Sequence, residues 1–115
     1  MAQYKYFWEA RRRECPGRPR YGIWVVEGET LLCGVGVFLT DGPYALLEGF
    51  ATNPKVPLRV RHKATQFLLE STQALAAMLD KVFILNPSVV ARSVLRIGQR
   101  LGFKVGTSRP MFAGV

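Results

Sequence analysis

The chain has 115 residues, of which 49% are hydrophobic and 21% are charged. This length and composition predict one globular domain and exclude a disordered chain. Sixteen Lys and Arg residues against eight Asp and Glu residues give a formal net charge of +8. Such an excess favours a phosphate-bearing partner, either nucleic acid or a nucleotide cofactor, although a solvated basic surface also explains it.

Residues 1–20 form a basic N-terminal arm that carries six of the cations. The arm lacks the apolar core of a signal peptide, and no apolar run approaches the roughly 20 residues of a membrane span. We therefore expect a cytoplasm-like compartment and no membrane partner. Cys15 and Cys33 have no metal-ligand spacing with His62, so we predict two idle thiols and no metal site.

Three strands are predicted in the first half of the chain. Tyr21 to Glu27 and Thr30 to Leu39 are apolar and β-branched runs that flank a turn, which predicts a hairpin. After the turn residues DGP, Tyr44 to Thr52 gives a third strand. Three glycines inside these strands predict bulges or close backbone approach: Gly34, Gly36 and Gly49.

The second half of the chain reads as helix, strand and helix. Pro57 precedes a helix whose predicted core face consists of Val60, Ala64, Phe67, Leu68, Ser71, Leu75, Met78 and Leu79. Residues 81–85 (KVFIL) then predict a short buried strand. Asn86 is an N-cap candidate, with Pro87 in the first turn, for a second helix lined by Val90, Val94, Ile97 and Leu101. Gly102 should end this helix, and Phe103 should pack back on it.

The two ends of the chain are less regular. Tyr4, Tyr6 and Trp8 alternate as in a strand, whereas Tyr4, Phe7 and Trp8 also fit a helix; we favour the strand. Residues 104–115 are long enough for one or two short strands. The resulting order predicts an α/β (α+β) domain with a mixed, mostly antiparallel sheet, a central β-α-β-α unit and helices packed on the sheet.

A basic collar stands at the start of the first predicted long helix: Arg59, Arg61, His62 and Lys63. The first amides of a helix have no intrahelical acceptors, and the helix dipole disfavours cations at that end. A bound anion would offset this arrangement, since phosphate is a frequent ligand of helix N-termini. The alternative is that these side chains simply point into water.

The segment from Tyr21 to Phe103 resembles the core of the GNAT superfamily of acetyl-CoA-dependent N-acetyltransferases. Arg59-Val60-Arg61-His62-Lys63-Ala64 matches the first Arg and the final Ala of the family's pyrophosphate loop, and Phe67-Leu68-Leu69 matches the apolar stretch that follows. The preceding FATNPKVPLR and the closing RIGQRLGF also resemble family segments. Short, trimmed chains of this kind are what we associate with bacteriophage genomes, in which case the protein would be virion-associated.

The resemblance implies acetyl-CoA as cofactor and an amine as acceptor. Its implied cofactor-binding residues are Ala51, Thr52, Arg59, Val60, Arg61, His62, Lys63, Ala64 and Asn86, with the backbone amides from Arg61 to Ala64 around the pyrophosphate. Glu48 occupies the position of a general base in some members, although an outward carboxylate paired with an arginine explains it equally well.

Three departures from the family pattern affect this assignment. His62 replaces a loop glycine, Gly98 stands where a tyrosine acid is common, and the two helices that usually follow the first strand are absent. The sequence therefore supports two readings. One is a weakly active N-acetyltransferase. The other is a non-catalytic GNAT-fold binding or assembly module that contacts nucleic acid or partner chains through residues 5–20. Both readings allow an oligomer.

Overall fold

The computed structural model describes residues 2–10, 21–85 and 92–104. These residues form three helices and four strands around one mixed sheet. The elements are α1 Ala2–Glu9, β1 Tyr21–Glu27, β2 Thr30–Leu39, β3 Tyr44–Thr52, α2 Leu58–Leu79, β4 Val82–Leu85 and α3 Arg92–Arg100. The predicted mixed α/β class is confirmed. No helix in these ranges has the length and apolarity that crossing a membrane requires.

The sheet has the strand order β1-β2-β3-β4. β1 pairs with β2, and β2 with β3, in antiparallel orientation, as expected for strands joined by short turns. β4 pairs with β3 in parallel orientation, and the connection between them is α2. The predicted hairpin and the predicted strand-helix-strand crossover are both confirmed.

The strand glycines have identifiable backbone roles. β3 contains one extra residue between its pairings with Gly34 and Gly36, and Gly49 lies in this bulge with a φ of 70°. Gly34 is approached by the indole ring of Trp24, so that a Cβ atom there would lie 2.3 Å from the ring carbon Cε3. The predicted bulge and the predicted close approach therefore occur at these two positions.

The main core lies between one face of the sheet and the helices α2 and α3. Leu68 and Leu69 of α2 pack with Val35 and Leu47 of the sheet and with Val94 of α3. The core face predicted for α2 was wrong at three positions: Phe67, Met78 and Leu79 are exposed. The buried side of the helix is instead centred on Leu68 and Thr72, and residues 67 and 78 point away from it because successive side chains rotate by about 100°.

Ala2–Glu9 form a helix, and the strand that we favoured for this segment was wrong. α1 packs against β2 and β3 on the sheet face opposite α2. A helix places Tyr4, Phe7 and Trp8 on one side, where Tyr4 and Phe7 are fully buried with Leu31. Tyr6, which the strand pattern would have placed beside Tyr4, is exposed instead.

The end of α3 follows the prediction. Gly102 has a φ of 93°, and its amide donates to the carbonyl of Gln99 at 3.1 Å. The amide of Phe103 donates to the carbonyl of Gly98 at 2.9 Å. These two bonds form a complete Schellman motif, and the Phe103 side chain contacts Gly98. The predicted cap at Asn86, with Pro87 and Val90, and the predicted strands after Lys104 lie outside the described residues.

β4 is the edge strand of the sheet among the described elements, and it is only half-buried. Phe83 and Leu85 pack on the main core, whereas Val82 and Ile84 on the other face are exposed. The expectation of a buried strand therefore holds for one face only, because the described helices cover one face of the sheet at this edge.

Candidate functional site

The site predicted from the sequence centres on the start of α2. Pro57 precedes the first helical residue, Leu58, with no side-chain cap and no acidic residue in the first turn. The amides of Leu58, Arg59 and Val60 are therefore the ones that lack an intrahelical acceptor. These three N–H groups and the helix dipole make this end of α2 electropositive.

The backbone amides expected from the resemblance are not free. The amide of Arg61 donates to the carbonyl of Pro57 at 3.0 Å. The amides of His62, Lys63 and Ala64 lie further inside the helix, where each has an acceptor four residues earlier. The helix starts too early for a loop formed by these residues, so any anion contact there must use side chains or the amides of residues 58–60.

Three members of the basic collar line one open groove of about 440 Å³ between α2 and α3. Arg59, His62 and Lys63 share one side of α2 because they are spaced by three and four residues. The complete lining is Leu58, Arg59, His62, Lys63, Gln66, Ile97 and Arg100. The apolar and the cationic side chains of this lining could together hold a ligand that has both a phosphate and an apolar part.

Arg100 is the groove residue that sequence reasoning missed. It belongs to the last turn of α3 and faces the first turns of α2 across the groove. About forty residues of sequence separate it from the collar, and only the packing of the two helices brings the cations together. A basic residue near a helix C-terminus is so common that the sequence alone gave it no special weight.

Arg61 does not line the groove. It lies one turn before Thr65, whose hydroxyl donates to the Arg61 carbonyl at 2.8 Å, and so it begins the side of α2 that faces the sheet. The side chain is half-buried, and its Nε atom is buried with no hydrogen-bond partner among the described residues. The structure therefore separates Arg61 from the other three collar residues.

Most of the remaining implied cofactor residues lie in the hydrophobic cores or in the sheet pairing, and not in the groove. Ala64 is buried in the main core and Val60 packs at its edge. Ala51 is buried against Tyr4 and Phe7 of α1, and Thr52 pairs with Cys33 across the sheet. Asn86 lies outside the described residues.

The end of β3 presents a strand edge near this region. The pairing of β3 with β4 ends at Leu47 and Leu85, whereas β3 continues to Thr52. Within the described ranges, the segment from Glu48 to Ala51 therefore has no pairing with β4 on that side. A strand edge of this kind can pair with an extended ligand, although the Gly49 carbonyl already accepts a hydrogen bond from the Tyr4 hydroxyl.

Glu48 is separate from the groove. It is exposed in β3 opposite Gly36, and strand alternation places it on the sheet face away from α2. It lines no part of the groove, and it forms no ion pair with any described residue, an arginine included. The structure thus brings together three predicted cofactor residues but not the predicted base.

A buried asparagine fixes the connection between β3 and α2. Asn53 donates from Nδ2 to the carbonyl of Leu31 at 2.9 Å and accepts from the amide of Lys55 at 2.9 Å through Oδ1. Its own amide donates to Leu32 at 2.8 Å. These bonds position the start of α2, and the sequence signal for them is the Asn53-Pro54 turn.

The described residues contain no group of three or more His, Cys, Asp or Glu side chains that could hold a metal ion. Comparison of the chain with family models, curated proteins and solved structures gave no significant match. The resemblance to GNAT N-acetyltransferases therefore depends on the sequence features described above.

Proposed function

We propose that this chain binds a nucleotide cofactor of the coenzyme A type in the groove between α2 and α3. The observation that carries the proposal is the convergence of Arg59, Lys63 and Arg100 from two helices on one groove. Three exposed cations beside an uncapped helix start match the diphosphate and phosphomonoester charges of coenzyme A. Leu58 and Ile97 add apolar surface for the rest of the ligand.

The part of β3 beyond its described pairing with β4 supports the same ligand. Coenzyme A carries an extended amide-containing arm beyond its diphosphate, and this arm can form hydrogen bonds with a strand edge. β3 offers such an edge from Glu48 to Ala51, near the end of the strand that leads into α2. The arm would run along β3 while the phosphates stay at the helix.

Acetyl transfer by the isolated chain should be slow. In the reaction, an amine attacks the thioester carbonyl, a base removes the amine proton, and the thiolate leaves and takes up a proton. Glu48 is the carboxylate available near the β3 edge, and Gly98 has no side chain to supply an acid. A missing acid or base typically costs about 100- to 10,000-fold in rate.

The experiment is calorimetric titration of the full chain with coenzyme A and acetyl-CoA, for wild type and for Arg59→Glu combined with Lys63→Glu. The matched control is Arg92→Glu combined with Lys104→Glu, which changes the net charge equally at exposed cations outside the groove. We expect the groove variant to lose affinity at least about tenfold, and the control to stay within about threefold. Equal affinities in the two variants would exclude the groove as the site.

Chromatographic measurement of coenzyme A release in the presence of amine acceptors tests the reaction itself. We expect binding with little turnover. Rapid turnover that disappears in Glu48→Gln would establish an efficient enzyme and contradict the expected slow rate.

A non-catalytic polyanion-binding module is the second candidate, and the openness of the cationic groove favours it. In that case nucleic acid, and not coenzyme A, should bind to Arg59, Lys63 and Arg100 in the groove. Affinity for DNA or RNA should then fall steeply with salt and fall again in the groove variant. Binding of nucleic acid without binding of coenzyme A would select this second function.

A further inference from the structure

The cations of the groove stand on two walls. Arg59 and Lys63 belong to the first two turns of α2, beside the helix start, whereas Arg100 belongs to the last turn of α3. Leu58 and Ile97 add apolar surface to the same lining. The axes of packed helices lie about 8–10 Å apart, so cations on opposite walls can contact separate groups of one ligand. The groove therefore suits a ligand with two anionic groups that are held apart.

The backbone that carries Arg100 is held against α2. The side chain of Gln73 in α2 donates from Nε2 to the carbonyl of Leu101, the next residue along the chain, at 2.7 Å. Gly98, one half-turn before Arg100, is buried, and a Cβ atom there would lie 3.8 Å from Cδ1 of Leu69. These contacts fix the end of α3 relative to α2, so the Arg100 side chain starts from a set position on its wall.

The guanidinium of Arg100 is not used to hold the fold together. Basic side chains near a helix C-terminus often bond to its last carbonyls. Here the carbonyl of Gly98 accepts from the backbone amides of Leu101, at 3.0 Å, and Phe103, at 2.9 Å. In the described part of the chain, no carboxylate forms an ion pair with Arg100. Because Arg100 is exposed and lines the groove, its five N–H donors can turn toward a ligand there.

Coenzyme A presents its phosphates as two separate groups. The diphosphate is attached to C5′ of the ribose and the phosphomonoester to C3′, so the sugar ring holds them apart. The start of α2, with the amides of residues 58–60 and the cations Arg59 and Lys63, suits the diphosphate. A planar guanidinium on the opposite wall can bind the phosphomonoester through two parallel hydrogen bonds.

We propose that Arg100 is a specificity-determining residue, which makes the groove select nucleotides that carry a 3′-phosphate in addition to a 5′-diphosphate. This inference rests on the proposed binding of coenzyme A in the groove. The analogue that Arg100 discriminates against is dephospho-coenzyme A, which differs from coenzyme A only by the missing 3′-phosphate. Because the pair is exposed to solvent, the preference is modest and falls as salt rises.

The test is calorimetric titration of the full chain with coenzyme A and with dephospho-coenzyme A, for the wild type and for Arg100→Gln. At low salt we expect the wild type to prefer coenzyme A by about fivefold to tenfold. Arg100→Gln should reduce this preference to less than about twofold and leave the affinity for dephospho-coenzyme A within about twofold of the wild type. High salt should reduce the preference of the wild type as well.

Arg96→Gln is the matched control, because it removes the same charge one turn earlier in α3, from an exposed side chain outside the groove lining. Both positions are exposed, so neither substitution should disturb the fold, which circular dichroism checks. The control should keep the wild-type preference. A preference for coenzyme A that persists in Arg100→Gln, or that Arg96→Gln reduces equally, overturns this inference and leaves the proposed function intact. A wild-type chain that binds neither ligand overturns both.

Discussion

Cys33 lies in the middle of β2, and its side chain has no exposure to solvent. It packs in the main core with Val35 and Leu68. Burial removes water from the thiolate and raises the pKa of the Cys33 thiol to about 12. The thiol is therefore protonated and inaccessible at neutral pH, which excludes it as a nucleophile in the folded chain.

We predict that Cys33 resists alkylation by iodoacetamide at pH 8 in a Cys15→Ser background until the chain unfolds. Because the folded-state pKa is raised, the contribution of this group to stability is complete below the unfolded pKa near 8.5. It is lost as the pH rises from there to about 12. Mass spectrometry across a urea gradient gives the measurement. Modification of Cys33 at the same rate with and without urea would contradict its burial.

At the scale of elements, α2 and α3 are terminated by the same backbone motif with different residues. The left-handed residue that follows α3 is Gly102, whereas the one that follows α2 is Asp80, which has a φ of 51°. The Lys81 amide donates to the carbonyl of Ala76 at 3.1 Å, and the Asp80 amide donates to the carbonyl of Ala77 at 3.4 Å, which are the two bonds of a Schellman motif. The left-handed conformation is unfavourable for a residue with a Cβ atom, and aspartate tolerates it better than most.

Asp80→Gly should therefore stabilise the chain by about 0.5–1 kcal/mol, because the relief of backbone strain exceeds the extra entropy of glycine in the unfolded state. Asp80→Val should destabilise it, since a β-branched residue is poorly suited to this conformation. Urea unfolding followed by circular dichroism measures both changes. Asp41→Gly is a control in an exposed turn, and an equal gain there would show that the effect is not specific to the helix end.

At the scale of the whole molecule, α1 at the start of the chain packs against β3, a strand about forty residues later in the sequence. The hydroxyl of Tyr4 donates to the carbonyl of Gly49 in the β3 bulge. Its ring meets that of Trp24 edge to face with centroids 5.0 Å apart. Gln3 adds a bond from its Nε2 to the carbonyl of Glu29 at 2.9 Å and accepts from the amide of Leu31 at 2.8 Å. The start of the chain is thus part of the sheet's packing as well as the source of much of the charge.

Removal of residues 1–20 should consequently lower stability by roughly 3 kcal/mol or more, because it removes two fully buried aromatic side chains. Replacing Arg11, Arg12 and Arg13 by Ser should weaken only salt-dependent binding to heparin or DNA. Thermal unfolding and heparin affinity, measured for both variants, separate the two roles. A truncated chain as stable as the full one would show that α1 contributes little to the fold.

The sequence alone was sufficient for most of the elements from Tyr21 to Phe103. Turn residues, strand alternation and the Gly102-Phe103 helix end are local signals, and the forces that they reflect act between neighbours in the chain. The collar at the start of α2 was also visible, because its four residues are nearly consecutive. The mixed sheet followed from the order of the elements.

Tertiary structure decided what the chain presents to its surroundings. Whether Tyr4 lies in a strand or a helix depends on its packing against Leu31 and Ala51, which are distant in sequence and so leave no signal in the local pattern. The packing of α2 on the sheet separates Arg61 from Lys63 and brings Arg100 to the groove, although Arg100 is distant in sequence. Apolar residues such as Ile84 look the same in sequence whether covered or exposed, since exposure depends on which faces the helices cover.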